Sequence, residues 1–409
     1  MAKRQRQEVV VIGGGIVGLA VAWRARQAGM EVTLLERDAT GGATSHVAAG
    51  MLAPVAEVEF GEAGGRVLEL GLRSAQMWPG FAAELESAAG LGVGLLRTGT
   101  LLLARDEDGA HELERQLSFR RSLGLRVTRL RASEARELEP ALAPTVRLAL
   151  EAPDDHSVDP RLALAALRRA CVAAGVDVRE QSPVAAIELD DRGVRAVALA
   201  GGERLPTRSA VVAAGPWSET IGGLPPEAGV PVRPVKGQIL RLRDPAGPGL
   251  LRTVTRFDGG YLVPRADGRY VLGATVEEQG FASLPTVGGV YELLRYAGEL
   301  VPGVRELEIE ELSVGFRPGT PDNAPIIGPG RVPGLTWATG HHRNGVLLAP
   351  LTAEMVVEVL RRQDPARRTE QRRSGTEDVA ELLATCDPAR FADGGERASV
   401  PGQPVGALS

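Results

Sequence analysis

The stretch Val9-Val-Val-Ile-Gly-Gly-Gly-Ile-Val-Gly18, an Ala-rich run and then Val32-Thr-Leu-Leu-Glu36 constrain this chain most. They read as strand, glycine turn, helix, second strand and terminal acid, the β-α-β unit that holds a dinucleotide. Val9 to Ile12 suit a strand buried on both faces. Gly13 permits the tight turn, Gly15 lets the backbone approach a pyrophosphate, and Gly18 lets the helix pack closely on the strand. Ile16 and Val17 then open a helix whose amides and dipole favour phosphate. Glu36, followed by Arg37, ends the second strand, where a carboxylate can accept from ribose hydroxyls. A flexible Gly loop alone would not carry both strands and the acid in register. A secretory signal is a competing reading, because Lys3, Arg4 and Arg6 precede an uncharged run ending at Ala22. Three consecutive glycines and the intervening Glu8 disfavour it.

The rest of the composition narrows the class. At 409 residues, two or three domain-sized units fit. A net charge of −5 and the absence of a long basic run give no electrostatic case for nucleic acid. No run reaches the roughly 20 apolar residues of a membrane span. Only Cys171 and Cys386 are present and the five histidines show no ligand spacing, so no disulfide framework and no metal site are expected, and a reduced cytoplasmic protein is. Lysine occurs only at Lys3 and Lys236, so nearly all 47 basic residues are Arg, and an Arg needs context before it is read as functional.

Along the chain, apolar spacing predicts helices over 66–89, 109–123 and 132–138, the last capped by Ser133. Leu95 to Leu103 reads as two short strands around a turn. Asp159-Pro160 starts a helix through Ala174, followed by strands at 176–179 and 184–189 and a buried strand from Arg208 into the Gly215-Pro-Trp217 turn. Residues 230–320 are β-rich, with a helix near 287–299. Leu335 to Gly340 is the last core strand, Gly345 to Leu360 the last long helix, and a short helix is predicted at 376–384. The expected fold class is α/β. A Rossmann-like dinucleotide domain (1–82, 151–225 and 325–363) is interrupted by a β-rich α+β substrate domain (83–150 and 226–324). Residues 364–409 are an extension whose end is expected to be disordered.

Two features select a flavin over a nicotinamide. Thr44 and Ser45, in Gly41-Gly-Ala-Thr-Ser45, follow Glu36 closely and offer hydroxyls to an extended pyrophosphate. Ala49, Gly50 and Met51 offer little bulk beside a planar ring. On spacing alone a plain Gly/Ser loop fits equally well. The distal Ala338-Thr-Gly-His-His-Arg-Asn-Gly345 decides it: a strand ends and a helix begins, so a second helix N-terminus can face the pyrimidine side of an isoalloxazine. One N-terminus for pyrophosphate and one for the ring suit FAD.

At these residues the chain resembles the D-amino-acid oxidase family of FAD enzymes, in its glycine-oxidase-like branch. The resemblance is carried by the N-terminal fingerprint, Ala48-Ala-Gly-Met-Leu-Ala-Pro54, Pro234-Val-Lys-Gly-Gln238, Tyr261-Leu-Val-Pro-Arg265, Gly273-Ala-Thr275, Gly315-Phe-Arg-Pro-Gly-Thr320 and Gly340-His-His-Arg-Asn-Gly345, over Val9 to about Leu360. It implies non-covalent FAD, a small amino-acid substrate oxidised to its imine with dioxygen as acceptor, and a hand-off of the product to thiazole synthase in thiamine biosynthesis. It leaves homo-oligomerisation open. It also implies residue roles: Arg317 and Tyr261 for the substrate carboxylate, Arg343 beside ring and substrate, His341, His342, Arg343, Asn344, Gly345, Val346 and Leu347 around the ring, Val184 at the adenine, and Gly215 and Trp217 along the cofactor. Chemistry supports Arg317 independently, since a fixed guanidinium before a Pro-Gly turn can grip a carboxylate bidentately. Hydride transfer from a neutral amine requires no base, so His46, His341 and His342 are read as structural. Val276 and Gly259 stand where relatives can carry Met and His, which leaves glycine, sarcosine and small D-amino acids unranked. Sarcosine-oxidase relatives attach flavin through a Cys absent between Cys171 and Cys386. A D-amino-acid dehydrogenase and a flavin-binding assembly protein without oxidase activity are the other readings.

Overall fold

The computed structural model describes residues 8–58, 60, 62–363 and 376–391. The expectation of a disordered end and the basic residues before the first strand fall outside this set. Strand Glu8–Ile12 sits at the centre of a six-stranded sheet. In order across the sheet the strands are Ile326–Pro329, Leu335–Thr339, Ala210–Val212, Glu8–Ile12, Glu31–Leu35 and Asp177–Arg179, parallel except for the first. Alternation along the central strand explains its all-apolar sequence. Val9 and Val11 enter one core with helices Ile16–Gln27, Glu62–Ala89, Pro160–Ala174 and Gly345–Gln363. Val10 and Ile12 enter another, under a three-stranded sheet of Val184–Asp190, Gly193–Leu199 and Arg204–Pro206. A strand covered on both faces has no polar side to show.

The turn behaves as its spacing predicts. Gly13 has φ +110°, and a Cβ there would lie 2.5 Å from the Ala213 carbonyl. A Cβ on Gly18 would lie 1.9 Å from the Gly13 oxygen, so helix and strand approach only because both positions lack one.

An eight-stranded, mostly antiparallel sheet forms from residues between Thr100 and Gly319. Its order is Glu308–Gly319, Arg233–Arg243, Arg269–Gly273, Gly260–Pro264, Val254–Phe257, Thr100–Ala104, Leu148–Ala152 and Thr128–Arg131. Helix Val287–Leu300 covers one face through Leu293, Ala297 and Leu300.

Several expectations change in detail. Of the strand pair expected over 95–103, only Thr100–Ala104 is a strand; Leu96 makes a single bridge to Ser157. Helix Ala132–Leu138 is capped at Arg131, whose amide donates to Glu134, rather than at Ser133. The small-residue segment from Gly41 to Leu52, which includes the Gly/Ser stretch, contains a short helix, Thr44–Val47, and strand Met51–Leu52. The predicted helix near 376–384 is Thr376–Cys386, docked through buried Leu382 and Cys386.

Candidate active site

A cleft enclosing about 1740 Å³ of solvent-open space runs from the glycine turn to the start of helix Gly345–Gln363. Most residues singled out by sequence line it. Gly13, Gly15, Ile16 and Val17 form one end, with Glu36 and Arg37 beside them. The Glu36 carboxylate accepts from the Gly14 amide (2.7 Å) and the Asp38 amide (3.0 Å), which fixes it at the strand end. Ser45 Oγ accepts from the Ile16 amide at 3.1 Å, so this helix N-terminus already points a donor at an oxygen. Thr44 Oγ1 donates to the Phe316 carbonyl (2.8 Å) and joins this end to the second sheet. Val184, Gly215 and Trp217 form the wall near Glu36. Trp217 lies under the Arg37 guanidinium (3.9 Å) and stacks on Phe281 at 5.5 Å.

Ala49, Gly50 and Met51 line the middle of the cleft, and His341, His342, Arg343, Gly345 and Val346 its far end. The 46–49 backbone is held from the second sheet: Arg241 donates to the His46 carbonyl (2.6 Å) and Arg265 to that of Ala49 (2.6 Å). The His342 amide donates to the Pro318 carbonyl (2.9 Å), tying the far end to the strand of Arg317. Burial lowers the His341 imidazole to about 4; burial, with Arg317 and Arg343 nearby, lowers His342 to about 3. Both rings are neutral at neutral pH.

Three predicted contacts lie elsewhere. Gly18 is spent on helix packing. Leu347 is in the core, its carbonyl accepting from Ser74 (2.6 Å) and Trp78 (2.9 Å). Asn344 is outside the cleft lining and starts the helix, its carbonyl accepting from the Leu348 amide.

Arg317 and Tyr261 project from the second sheet into the cleft. Arg317 is seated by the Pro234-Val-Lys-Gly-Gln238 segment: its Nη1 donates to the Thr275 carbonyl (3.0 Å) and more weakly to that of Lys236 (3.3 Å). A Cβ on Gly237 would lie 2.6 Å from that guanidinium, so a side chain there would push it out of this seat. Lys236, almost fully buried, pairs with Glu277 (3.2 Å) and Gln279 (2.9 Å), and Gln238 bonds Thr286; together they peg the 275–286 loop that carries Phe281. Burial raises the Tyr261 hydroxyl above its ordinary value, so it is a protonated donor.

Sequence reasoning missed Glu57. Its carboxylate pairs with Arg343 (3.1 Å) and Arg256 (3.3 Å) beside the Arg317–Tyr261 pair. Burial alone would raise its pKa, but Arg343, Arg256 and Arg317 hold it below the ordinary value. The available signal was the first acid after the small, apolar run from Ala48 to Ala56. The backbone before it is gripped by two buried groups. Asp155 accepts from the Val55 (3.1 Å) and Ala56 (2.6 Å) amides, and Arg120 donates to the same two carbonyls, each at 2.9 Å.

The arrangement can therefore bind an elongated anion along one wall and a small carboxylate at the other. It offers neutral imidazoles, an ionised and paired Glu57, and no His/Cys/Asp/Glu group suited to a metal among the described residues.

Comparison with known proteins agrees. The profile of the family described as "FAD dependent oxidoreductase" (DAO) matches residues 8–359. The chain is 35% identical over 367 residues to a protein named glycine oxidase from Geobacillus kaustophilus, covering 88% of this chain and 94% of that one. It is 38% identical over 358 residues to the "Bifunctional protein ThiO/ThiG" of Synechocystis; that match covers 86% of this chain but only 51% of the relative, about half its length. A crystal structure of glycine oxidase from G. kaustophilus superposes with a TM-score of 0.81 at 33% identity, covering 90% of this chain and 100% of that one.

Proposed function

Because the chain belongs to the FAD-dependent oxidoreductase (DAO) family, we propose that it oxidises glycine, or a similarly small amine bearing one carboxylate, to the imine, which hydrolyses to glyoxylate. The observation that carries this reading is the juxtaposition of Arg317 and Tyr261 with His341, His342 and Arg343 in one cleft, and the likeness to proteins named glycine oxidase supports the choice of substrate. The cleft fits FAD. Glycines without Cβ bulk, Glu36 at the strand end and the Ile16 amide suit its ribose and pyrophosphate, and Ala49 to Met51 with residues 341–346 suit its ring.

When bound, FAD supplies the acceptor for the hydride leaving the substrate Cα, and dioxygen finally takes the two electrons as hydrogen peroxide. The protein's own part is positional and electrostatic. Arg317 and the Tyr261 hydroxyl hold the carboxylate, which fixes the direction of the Cα–H bond. Hydride can leave only from the neutral amine, so the substrate ammonium loses its proton before the Cα–H bond breaks. His341 and His342, lowered well below neutrality, do not compete as cations.

The fusion of a similar chain to a second unit in proteins named ThiO/ThiG supports delivery of the imine to a thiazole-forming step, as does the lability of a small imine in water. No described helix is long and apolar enough to cross a membrane.

Anaerobic mixing of the purified yellow protein with glycine tests the reading. Wild type is expected to bleach, and Arg317→Ala to lose bleaching at glycine concentrations that saturate wild type. Equal bleaching of both would remove Arg317 from the substrate site.

A further inference from the structure

A second cavity, with about 2270 Å³ of solvent-open space, lies on the far side of the substrate pair. It shares four lining residues with the cofactor cleft: Glu57, Tyr261, Arg317 and Arg343. A substrate held at Arg317 and Tyr261 with its reacting carbon toward the cleft therefore has this chamber for any substituent. Leu102, Phe257 and Tyr296 give the chamber apolar wall, and Val276 and Gly259 lie here as well. Glu57 stands at its junction with the cleft.

The charge count at that junction is unusual. Arg256, Arg317 and Arg343 bring three cations together, and Glu57 pairs with Arg256 and Arg343, leaving Arg317 for the substrate carboxylate. A second carboxylate on the substrate would enter the chamber beside Glu57, whose own charge opposes it, and would have to compete with Glu57 for Arg256 and Arg343, which that residue already pairs. The Asp155 and Arg120 grip on residues 55–56 limits any retreat of Glu57 from such a group.

Resting on the glycine-oxidase reading, we propose that Glu57 is a specificity residue: it restricts the enzyme to amines with a single carboxylate and excludes glycine derivatives whose nitrogen substituent ends in a second acid. Apolar nitrogen substituents remain acceptable to the chamber. The residue acts by charge, so its neutral isostere is expected to invert the preference rather than abolish binding.

The test uses two unreactive ether analogues, methoxyacetate (one carboxylate) and oxydiacetate (two), titrated against the flavin absorbance of the holoenzyme. Wild type is expected to bind methoxyacetate more tightly. In Glu57→Gln the affinity ratio is expected to move toward oxydiacetate by about tenfold or more, as for one charge contact in a partly screened site. Turnover of glycine against iminodiacetate should shift in the same direction. Should Glu57→Gln fail to retain flavin, Arg256→Gln gives the opposite test, moving the ratio further toward methoxyacetate. An unchanged ratio, or wild type preferring oxydiacetate, overturns the role of Glu57 while leaving the oxidase reading intact. Failure of both analogues to perturb the flavin, together with no turnover of glycine, overturns the site reading itself.

Discussion

At the scale of single residues, much of the site is made by atoms that are missing. Gly237 is the sharpest case, because its absent Cβ is the space in which the Arg317 guanidinium lies. Gly237→Ala would place a methyl 2.6–2.9 Å from three atoms of that group, in a strand paired to Gly315 on one side and tied by the Lys236–Glu277 bridge on the other. The expected result is a folded, yellow protein whose KM for glycine rises by about tenfold or more, since loss of one charge-assisted carboxylate contact is worth roughly 1.5–3 kcal/mol. Steady-state kinetics with an unchanged KM would show that Arg317 has another seat. The place of Arg317 and Tyr261 in the cleft lining was legible in the sequence because motif context marked them in a chain where Arg is otherwise abundant. Glu57, Arg256, Asp155 and Arg120 were not. Their meaning is relational: each matters through partners from about 65 to nearly 290 residues away in the chain, and no local pattern records that.

Asp155 also gives a residue-level test by pH. Burial raises its carboxyl from 3.8 to about 7, against the lowering effect of the Ala56 and Val55 amides that it accepts from. A folded-state value above the unfolded one means its contribution to stability is fully present below about pH 3.8 and is lost as pH rises through about 7. Asp155→Asn keeps an acceptor for one amide and removes this titration. The melting temperature of wild type relative to Asp155→Asn is therefore expected to fall between pH 5 and pH 8. A difference that stays constant over that range would show that Asp155 does not titrate there.

At the scale of elements, periodic and two-sided segments were readable, and edges and caps were not. Helices Pro160–Ala174 and Val287–Leu300 match their predicted spans to within a residue because one face is continuously apolar and their starts carry Asp159 and Thr286 caps. The start of Ala132–Leu138 was misassigned because the Arg131 amide bonds Glu134, so a neighbouring Ser133 was a decoy. Strands Gly193–Leu199 and Arg204–Pro206 escaped notice because they cover the main sheet from outside, with mixed burial rather than a clean run.

The C-terminal element beyond the family match has a definite task. Arg390 forms a forked pair with Asp322 (2.8 and 3.2 Å) and donates to the Ala324 carbonyl (2.9 Å). Those residues close the loop after Gly315-Phe-Arg-Pro-Gly-Thr320, so the terminal segment braces the strand end that carries Arg317. Asp322 is about a third exposed, which screens the pair. Arg390→Ala is expected to cost about 1 kcal/mol of stability, read as a lower denaturation midpoint with kcat for glycine nearly retained. A large loss of kcat at full flavin occupancy would mean that the brace also sets the geometry of the substrate site.

At the scale of the whole molecule, the cofactor cleft is assembled from both ends of the chain and its middle: residues 12–57, 182–221 and 237–346 all contribute lining. The dinucleotide half was legible because one β-α-β unit encodes it within some thirty residues. The ring half needed the distal helix start at Gly345, which gains meaning only once the parallel sheet brings Leu335–Thr339 beside Ala210–Val212 and, through it, beside Glu8–Ile12. Contacts across the cleft join the two sheets as well: Thr44 to Phe316, Arg241 to His46, Arg265 to Ala49 and His342 to Pro318. A ligand in that cleft touches both sheets, so its binding energy stabilises them together. FAD at a hundredfold excess over its Kd should add about 2.7 kcal/mol to the native state as a unit. The apoprotein, stripped of flavin, is expected to melt in one transition that moves upward as FAD is added, followed by calorimetry or circular dichroism. Two transitions, only one of which moves with FAD, would mean that the β-rich sheet folds independently of the cofactor and that the contacts across the cleft are too weak to couple the halves.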